Sequence, residues 1–515
     1  FLAEGVRRVL ITTDDPGRYR GVTLPLGVEV WSRDRILEAQ RTLAGVAGTT
    51  VLIHDQRCAA ELRRDRKRGR AAQPGWRVLI DQRVCEGCGD CGAKSNCLSV
   101  QPVDTPFGRK TAIDQASCNL DASCVEGDCP SFLTVRPSRR RRRRAKPQRG
   151  GGRTGSVVDA GALPAPSIVV DSDDCTIRLS GIGGTGVVTV AQIIGTAAML
   201  DGFQVRGLDQ TGLSQKAGPV VSDIRLSRDV PQPSNKATAG SVDVLIAFDQ
   251  LVGGNDATLR TLSSNRTVVV ANSAEVATGS MVIHPDRPYP VAELDDRLGS
   301  SSREHLRVDA QRMVVSLLDD DSTVNVFMLG VALQAGHVPV APELIERAIT
   351  LNGVAVHKNL AAFAWGRAWV ANPAAVNEAA GLGTTIDEVP LRERLTADLV
   401  DYQSARYAAR FTALVDQVAA LGHDQLTDAV MVNLHKLMAY KDEYEVARLL
   451  LLPESQAQAE AVGGRRTKVT WLLHPPALRS LGRRSKIHFG RWSRPAFRAL
   501  RAMRRLRGHW FDAFG

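Results

Sequence analysis

The sequence lacks a long hydrophobic run. No stretch of about 18 consecutive apolar residues occurs, which is the length that a helix needs to span a bilayer, so no membrane partner is predicted. The chain begins at Phe1 without an initiator methionine, and it also lacks the charged and apolar regions of a signal peptide. We therefore expect a cytoplasmic protein and interpret the sequence as a later part of a longer chain.

Basic charge is in excess only in two segments. Residues 136–149 carry nine Lys and Arg side chains and no acid, and residues 465–511 carry fourteen and no acid. The whole chain has a net charge of +11, so the remainder has a net charge of −12. A fold that reads nucleic acid needs basic residues on its folded surface, so no nucleic-acid partner is predicted. An anionic partner could still bind either basic segment.

Cysteine is scarce outside one short segment. Seven of the nine cysteines lie within the 45 residues from Cys85 to Cys129. A secreted disulfide-bonded protein is usually short and carries an even number of cysteines. This distribution indicates a metal or cluster site instead.

Length and composition predict several globular domains. At roughly 100–200 residues per domain, the 515 residues predict three or four, and 43% hydrophobic with 23% charged residues is typical of folded proteins. We predict a multidomain α/β protein. Its expected divisions are the end of an α/β domain at 1–75, a cysteine segment at 76–135, an Arg/Gly/Pro-rich linker at 136–172, a second α/β domain at 173–370, and a helical C-terminal region with a basic tail at 371–515.

Short β-branched runs alternate with helical patterns in both α/β regions. In the first region, strands are predicted at 9–12 and 50–54 with a helix at 33–43 between them. Two strands cannot complete an α/β domain, so the rest of it is expected upstream. In the second region, strands are predicted at 176–179, 242–247 and 267–271, and residues 391–452 have helical spacing.

Three cysteines have the spacing of a ferredoxin loop. The run Cys85-Glu-Gly-Cys88-Gly-Asp-Cys91 is a CxxCxxC motif, which lets one tight loop present three thiolates to one cluster. In bacterial ferredoxins a distant Cys-Pro pair completes the ligand set, and Cys129-Pro130 has that place here. We predict that Cys85, Cys88, Cys91 and Cys129 bind one [4Fe–4S] cluster.

The other cysteines do not repeat this motif. Cys97, Cys118 and Cys124 could form a second site with an unidentified fourth ligand, or a three-iron centre. Structural zinc is an alternative for the segment, although zinc ribbons need paired knuckles and only one CxxCxxC is present. Cys58 and Cys175 lie in apolar or strand contexts, so we expect both to be ordinary buried thiols.

A glycine-rich turn in the second α/β region allows two interpretations. Gly181-Ile-Gly183-Gly184-Thr-Gly186 follows a predicted strand and precedes a predicted helix, which is the context of a dinucleotide-binding turn. Asp209 has the separation of a ribose-binding acid. Alternatively, the glycines only allow the strand and the helix to pack closely.

Several of these motifs together resemble a known family over most of the chain. They are Asp55-Gln-Arg-Cys58-Ala-Ala-Glu61, the segment from Val84 to Ser131, Gly181-Ile-Gly-Gly-Thr-Gly-Val with Gly212-Leu-Ser-Gln-Lys-Ala-Gly218, Asn352-Gly-Val-Ala-Val356, and the helical Leu437 to Arg448. The chain resembles the fused indolepyruvate ferredoxin oxidoreductase group of the 2-oxoacid:ferredoxin oxidoreductases. It departs from the family pattern at Asp223, where a histidine is common, so the role of that residue is open.

The resemblance implies a redox enzyme that is incomplete in this chain. Such enzymes decarboxylate an arylpyruvate or related 2-oxoacid on thiamine diphosphate and Mg²⁺, pass electrons through iron–sulfur clusters to ferredoxin, and release an acyl-CoA. The family's Gly-Asp-Gly segment for thiamine diphosphate does not occur here, so residues 1–75 are expected to be the end of that domain and the cofactor to bind upstream. Residues 173–370 would form the gamma-type domain. The resemblance implies electron-transfer ligands and no catalytic residue in this chain, which we expect to form a homo-oligomer.

Two other functions remain open from the residues alone. One is an NAD(P)-linked iron–sulfur dehydrogenase that uses the glycine turn, which an NADH titration would detect. The other is a zinc-containing, arginine-rich binding protein, which analysis of iron and labile sulfide would distinguish.

Overall fold

The structure is a computed structural model, and its described residues form two compact units. These residues are 1–115, 117–126, 128–136, 163–212, 218–229, 234–284, 287–318, 321–382, 389–475, 482, 485–510 and 512. Most of the predicted linker lies outside them. The first unit contains residues 1–75 and 119–121, and the second contains 76–118 and the chain from 122 onward. Among these residues, no helix combines the length and the apolar character needed to cross a membrane.

The first unit contains a small parallel sheet with two helices. β1 (Arg8–Thr13) lies between β2 (Glu29–Ser32) and β3 (Thr50–Asp55) and pairs in parallel with both. The helices are α1 (Ile36–Ala44) and α2 (Ala59–Lys67). The two predicted strands and the helix between them are confirmed. The prediction missed β2, because this four-residue edge strand is only half-buried and has no alternating hydrophobic pattern.

The cysteine segment contains two antiparallel strand pairs and one short helix. The bounds of the elements are Arg77–Ile80 (β4), Asp90–Ser95 (α3), Val100–Thr105 (β5), Gly108–Ile113 (β6) and Phe132–Arg136 (β7). β5 and β6 form a hairpin, which is separate from the sheet that contains the pair of β4 and β7.

A six-stranded mixed sheet forms the core of the second α/β region. The strand bounds are Asp174–Ile182 (β8), Gln204–Thr211 (β9), Pro219–Ser227 (β10), Val244–Ala247 (β11), Val268–Asn272 (β12) and Glu304–Val308 (β13). The strand order in the sheet is β13-β12-β11-β8-β10-β9, where β8, β11, β12 and β13 are parallel and β10 runs antiparallel to both of its neighbours. The three predicted strands in this region correspond to β8, β11 and β12 and are confirmed.

Helices cover this sheet and supply much of its hydrophobic core. They are Val187–Leu200 (α4), Gln250–Gly253 (α5), Asp256–Leu259 (α6), Gly279–Ile283 (α7), Val291–Ser300 (α8), Ala310–Leu318 (α9), Val324–Gln334 (α10), Pro342–Asn352 (α11), Val356–Ala371 (α12) and Pro373–Ala379 (α13). Every residue of α10 is buried. A helix that is apolar all round belongs in the interior, and the sequence of α10 has that character.

The C-terminal region is mostly helical, but it also contributes strands to the sheet of the cysteine segment. Its helices are Leu391–Tyr402 (α14), Ala405–Ala419 (α15), Asp424–Met438 (α16), Glu443–Leu449 (α17), Pro453–Gly463 (α18) and Arg494–Met503 (α19). β14 (Lys468–Leu473) pairs antiparallel with β7, and β15 (Ile487–Phe489) pairs with β14. The predicted helical spacing of residues 391–452 is confirmed by α14 to α17, whereas β14 and β15 in the basic tail were not predicted. β14 forms because β7 offers a free edge, and its partner lies more than 300 residues away in sequence, beyond any local pattern.

Candidate functional site

The CxxCxxC run follows β4, with Cys85 and Cys88 on a loop whose shape two glycines determine and Cys91 in the first turn of α3. Gly87 and Gly89 have φ values of +68° and +76°, in the left-handed region that favours glycine. A side chain at Gly87 would overlap the carbonyl oxygen of Arg109. The resulting turn buries Cys85 and leaves Cys88 exposed. The Gly87 N–H donates a 3.3 Å hydrogen bond to the sulfur of Cys85, the kind of contact that tunes an iron–sulfur centre.

Most cysteines of the segment share one apolar cluster. Its buried members include Val78, Ile80, Cys85, Val100, Cys124, Phe132 and Leu472, and the thiols that pack against it are Cys91, Cys97, Cys118 and Cys129. Strands β4, β7 and β14 contribute to this cluster, so the C-terminal region forms part of the surroundings of the cysteines. Such an environment limits the access of water to the sulfurs.

The four predicted ligands interact electrostatically with one another. Burial raises the pKa of Cys91 to about 12, and the charges of Cys85 and Cys129, and to a smaller extent Cys88, act in the same direction. Burial also raises the pKa of the Cys129 thiol, and Cys85 adds to the shift. Four neighbouring thiolates in an apolar setting repel one another, so their ionised form requires positive charge between them. A metal centre held by such thiolates would supply this charge.

The sulfurs are not arranged around a point suited to one small ion. In the described part of the chain, no group of three or more His, Cys, Asp or Glu side chains is placed to hold a metal ion. The donor set consists of thiols, which are the ligands that iron–sulfur clusters use.

A lysine from the C-terminal region lies beside Cys129. The Nζ of Lys486 is buried, has no hydrogen-bond partner within the described residues, and lies 4.6 Å from the ring centroid of Phe132. Burial lowers the pKa of Lys486, while the charges of Cys129 and Cys124 oppose that shift. The sulfur of Cys129 is also 3.0 Å from the hydroxyl oxygen of Ser131. A buried ammonium without a partner is costly unless an anion compensates it, and an anionic cluster at Cys129 would do so.

A second lysine stabilises the backbone of the cysteine loop. The Nζ of Lys441 donates hydrogen bonds of 3.1 Å and 3.0 Å to the carbonyl oxygens of Val84 and Cys85, and it lies 2.7 Å from Glu86 Oε1. The sequence pattern identified neither Lys441 nor Lys486, because both approach the cysteines from more than 350 residues away. Lys441 lies within the segment from Leu437 to Arg448 that resembles a family region of unassigned role, whereas Lys486 lies outside every motif of the sequence analysis.

A buried ion network joins the cysteine segment to the C-terminal helices. Asp398 accepts hydrogen bonds from Arg83 (2.6 Å), Arg448 (2.8 Å) and His435 (3.0 Å). Burial alone would raise the pKa of Asp398, but His435 and the two guanidinium groups outweigh it and hold the pKa below its usual range. Arg448 also pairs with Glu445 at 2.6 Å.

The remaining cysteines differ in their surroundings. Cys97, Cys118 and Cys124 join the same apolar cluster as the predicted ligands, and Cys124 interacts electrostatically with Lys486. Cys175 is buried, as predicted. The prediction that Cys58 is buried is wrong, because this thiol is exposed at the N-cap of α2 in the first unit.

The glycine turn connects β8 to α4, as its motif requires, but the following strand is not placed as in a dinucleotide-binding fold. Asp209 lies on the edge strand β9, and β10 separates β9 from β8. Asp209 accepts a 2.6 Å hydrogen bond from Ser222 on β10. A Cβ atom at Gly181 would lie 3.0 Å from Val187 Cγ2 and 3.1 Å from Phe248 Cβ, so this glycine serves close packing.

Asp223 has a structural role in the sheet. It is fully buried on β10 and forms a two-point ion pair with Arg178 on β8, at 2.7 Å and 2.9 Å. It also accepts a 2.9 Å hydrogen bond from the backbone N–H of Ala237. A carboxylate held by these donors stabilises the β8–β10 pairing, which accounts for the residue that the family pattern left open.

Comparisons with known proteins match two parts of the chain. Residues 176–369 match the pyruvate ferredoxin/flavodoxin oxidoreductase family, and residues 390–515 match a family of unknown function, DUF6537. Indolepyruvate oxidoreductase subunit IorB of Pyrococcus horikoshii is 27% identical over 192 residues, which are 36% of this chain and 91% of that protein. The same subunit of Archaeoglobus fulgidus is 29% identical over 194 residues, covering 37% of this chain and 92% of that protein.

A solved structure also matches. Pyruvate oxidoreductase subunit PORC of Thermotoga maritima is 18% identical, covers 38% of this chain and 96% of its own, and has a TM-score of 0.28. The resemblance inferred from the sequence is confirmed by the curated relatives and the matched family. The chain is an oxidoreductase similar to the indolepyruvate oxidoreductase subunits.

Proposed function

We propose that this chain is the electron-transfer portion of a 2-oxoacid:ferredoxin oxidoreductase of the arylpyruvate or indolepyruvate type. Cys85, Cys88, Cys91 and Cys129 bind one [4Fe–4S] cluster in this proposal. The observation that carries it is the packing of Cys85, Cys91 and Cys129 against one apolar cluster, with Cys88 in the same CxxCxxC run, in a chain similar to oxidoreductase subunits.

The residues around the thiols fit such a cluster. The bound cluster would accept and release single electrons. The chain's own residues exclude water, orient the sulfurs and compensate negative charge. The turn at Gly87 and Gly89 presents Cys85 and Cys88 on one loop, and the Gly87 N–H contacts the Cys85 sulfur. The buried Lys486 ammonium faces the charge at Cys129.

The proposal also assigns the other cofactors, the substrates and the domains of the chain. Thiamine diphosphate and Mg²⁺ act in a part of the enzyme outside this sequence, where the 2-oxoacid and CoA react, and ferredoxin receives the electrons. Residues 1–75 are the end of the thiamine domain, 76–135 the cluster segment and 173–370 the gamma-type domain. Cys97, Cys118 and Cys124 are ligands of a second site, and the protein acts in the cytoplasm as a homo-oligomer.

Electron transfer to ferredoxin tests this function directly. The full chain, purified anaerobically and reduced with dithionite that is then removed, should reoxidise when an oxidised small ferredoxin is added. The absorbance changes of the two proteins can be followed by stopped-flow spectrophotometry. Protein from which iron has been removed by a chelator serves as the control and should leave ferredoxin oxidised. Equal reduction of ferredoxin by both preparations, or by neither, would contradict the proposal.

A further inference from the structure

A cavity of about 260 Å³ lies beside the cysteine loop, within the second unit. The β5–β6 hairpin and the loop around Gly87 form one side of it, and residues of α14, α16 and α17 form the other. Neither the matched families nor the cluster assignment gives this cavity a role.

An unpaired lysine faces the cavity. Lys110 on β6 is 6% exposed, lines the cavity, and forms no hydrogen bond or ion pair within the described residues. Burial lowers its pKa to about 8 and the nearby charge of Lys441 acts in the same direction, while the charges of Glu86 and Cys85 oppose the shift. Lys110 has no direct anionic partner, and burial of a charged group in that state is unfavourable, so an anion bound in the cavity would stabilise it.

The acids that line the cavity are already engaged by other cations. Asp398 is bound by Arg83, Arg448 and His435, and Glu86 is paired with Lys441. Glu445 is paired with Arg448. The cavity wall also contains Arg109, whose buried Nε has no partner in the described structure, and the exposed Lys436. The cavity therefore has an excess of positive charge.

The cavity wall also contains apolar side chains. Phe107, Leu395, Val432 and Leu449 line it, and the guanidinium of Arg83 lies 3.5 Å from the centroid of the Phe107 ring. The volume is below the range of about 300–1,000 Å³ that is usual for drug-sized ligands, so a dinucleotide or an entire CoA molecule is too large.

We propose that this cavity binds a small organic carboxylate, with the carboxylate on Lys110 and the apolar group against Phe107 and Leu395. The inference goes beyond the proposed function, because it rests on the cavity and its charges and not on the cysteines. A cavity that combines an excess of cations with apolar side chains selects an anion with a small aromatic or branched group over a bare anion.

Calorimetric titration of the full chain tests this inference with phenylacetate as the probe. Inorganic phosphate tests a bare anion, and 2-phenylethanol tests the ring without the charge. We expect saturable binding of phenylacetate at one site per chain and no saturable binding of the other two. Lys110→Met should weaken phenylacetate binding at least roughly tenfold, as expected for the loss of one charge-assisted hydrogen bond. Lys94→Met is the matched control, since Lys94 pairs with exposed Asp90 on the same segment, and should bind as the unchanged protein does.

Stability separates a ligand-binding lysine from a structural one. If Lys110 is an uncompensated charge kept for a ligand, Lys110→Met should unfold in urea at the same concentration or a higher one. Four results would each overturn the inference. They are a lower unfolding midpoint for Lys110→Met, equal phenylacetate affinity of Lys110→Met and the unchanged protein, binding of phosphate in place of phenylacetate, and no saturable binding. The preparations compared should have the same iron content, so that a difference in phenylacetate binding does not come from the cluster. Absence of iron would contradict the proposed function but would leave the inference about the cavity intact.

Discussion

Replacing Cys88 with serine is expected to remove most of the visible absorbance of the anaerobically purified protein. Cys88 is the middle residue of the CxxCxxC loop, and it interacts electrostatically with Cys91. Thiolate-to-iron charge transfer produces the broad absorbance of such clusters, so the loss of one thiolate ligand should bleach it. Because Cys88 is exposed, the substitution should leave the packing of the segment intact.

The matched control for this prediction is Cys58→Ser. Cys58 is also exposed, but it belongs to the first unit of the structure. Its replacement should leave the visible spectrum and the iron content unchanged. If Cys88→Ser retains the full spectrum, or if Cys58→Ser loses it, the ligand assignment is wrong.

Replacing Asp398 with asparagine is expected to lower the free energy of unfolding by about 3–5 kcal/mol, as for a buried charge network that loses one partner. Arg83, His435 and Arg448 all donate to this carboxylate, and the side chain of Arg448 is only 2% exposed. Without Asp398, Arg448 keeps Glu445 at 2.6 Å and the exposed Asp401 at 3.8 Å. The network joins the cysteine segment to α14 and α16, so its loss should also loosen the surroundings of the cysteines.

Urea unfolding, followed by circular dichroism, measures this effect against Asp416→Asn. Asp416 pairs with Arg392 at the surface, with side chains 58% and 44% exposed, and such pairs contribute about 0–1 kcal/mol. The native pKa of Asp398 is lowered, so its contribution is present above the ordinary pKa of about 3.9 and is lost as the pH falls below it. Equal decreases in the free energy of unfolding for Asp398→Asn and Asp416→Asn at neutral pH would contradict the larger stabilisation that we assign to the buried network.

The sequence predicted the parts of the site that depend on local spacing. CxxCxxC spacing and two glycines favour a tight turn, which carries Cys85 and Cys88 and is followed by Cys91 in the first turn of α3. The Cys-Pro pair predicted Cys129 as the fourth ligand, and Cys129 packs against the same apolar cluster as Cys85, while its role as a ligand stays a prediction. The sequence also predicted the strands of the six-stranded sheet that are buried and rich in β-branched residues, such as β11 and β12.

The parts that were missed depend on contacts between distant segments. The insertion of antiparallel β10 between β8 and β9 removes Asp209 from the position of a ribose-binding acid, and no local pattern reports strand order. Likewise, β14 becomes a strand because it meets the edge of β7. Lys441 and Lys486 reach the cysteines only through this long-range pairing and the packing of the C-terminal helices.

Analysis of iron and acid-labile sulfide in the anaerobically purified full chain tests the central claim most directly. One [4Fe–4S] cluster predicts about four iron and four sulfide per chain, and a filled second site at Cys97, Cys118 and Cys124 would raise both numbers. Dithionite reduction should then produce an electron paramagnetic resonance signal that Cys88→Ser lacks. Stoichiometric zinc without labile sulfide would contradict the account.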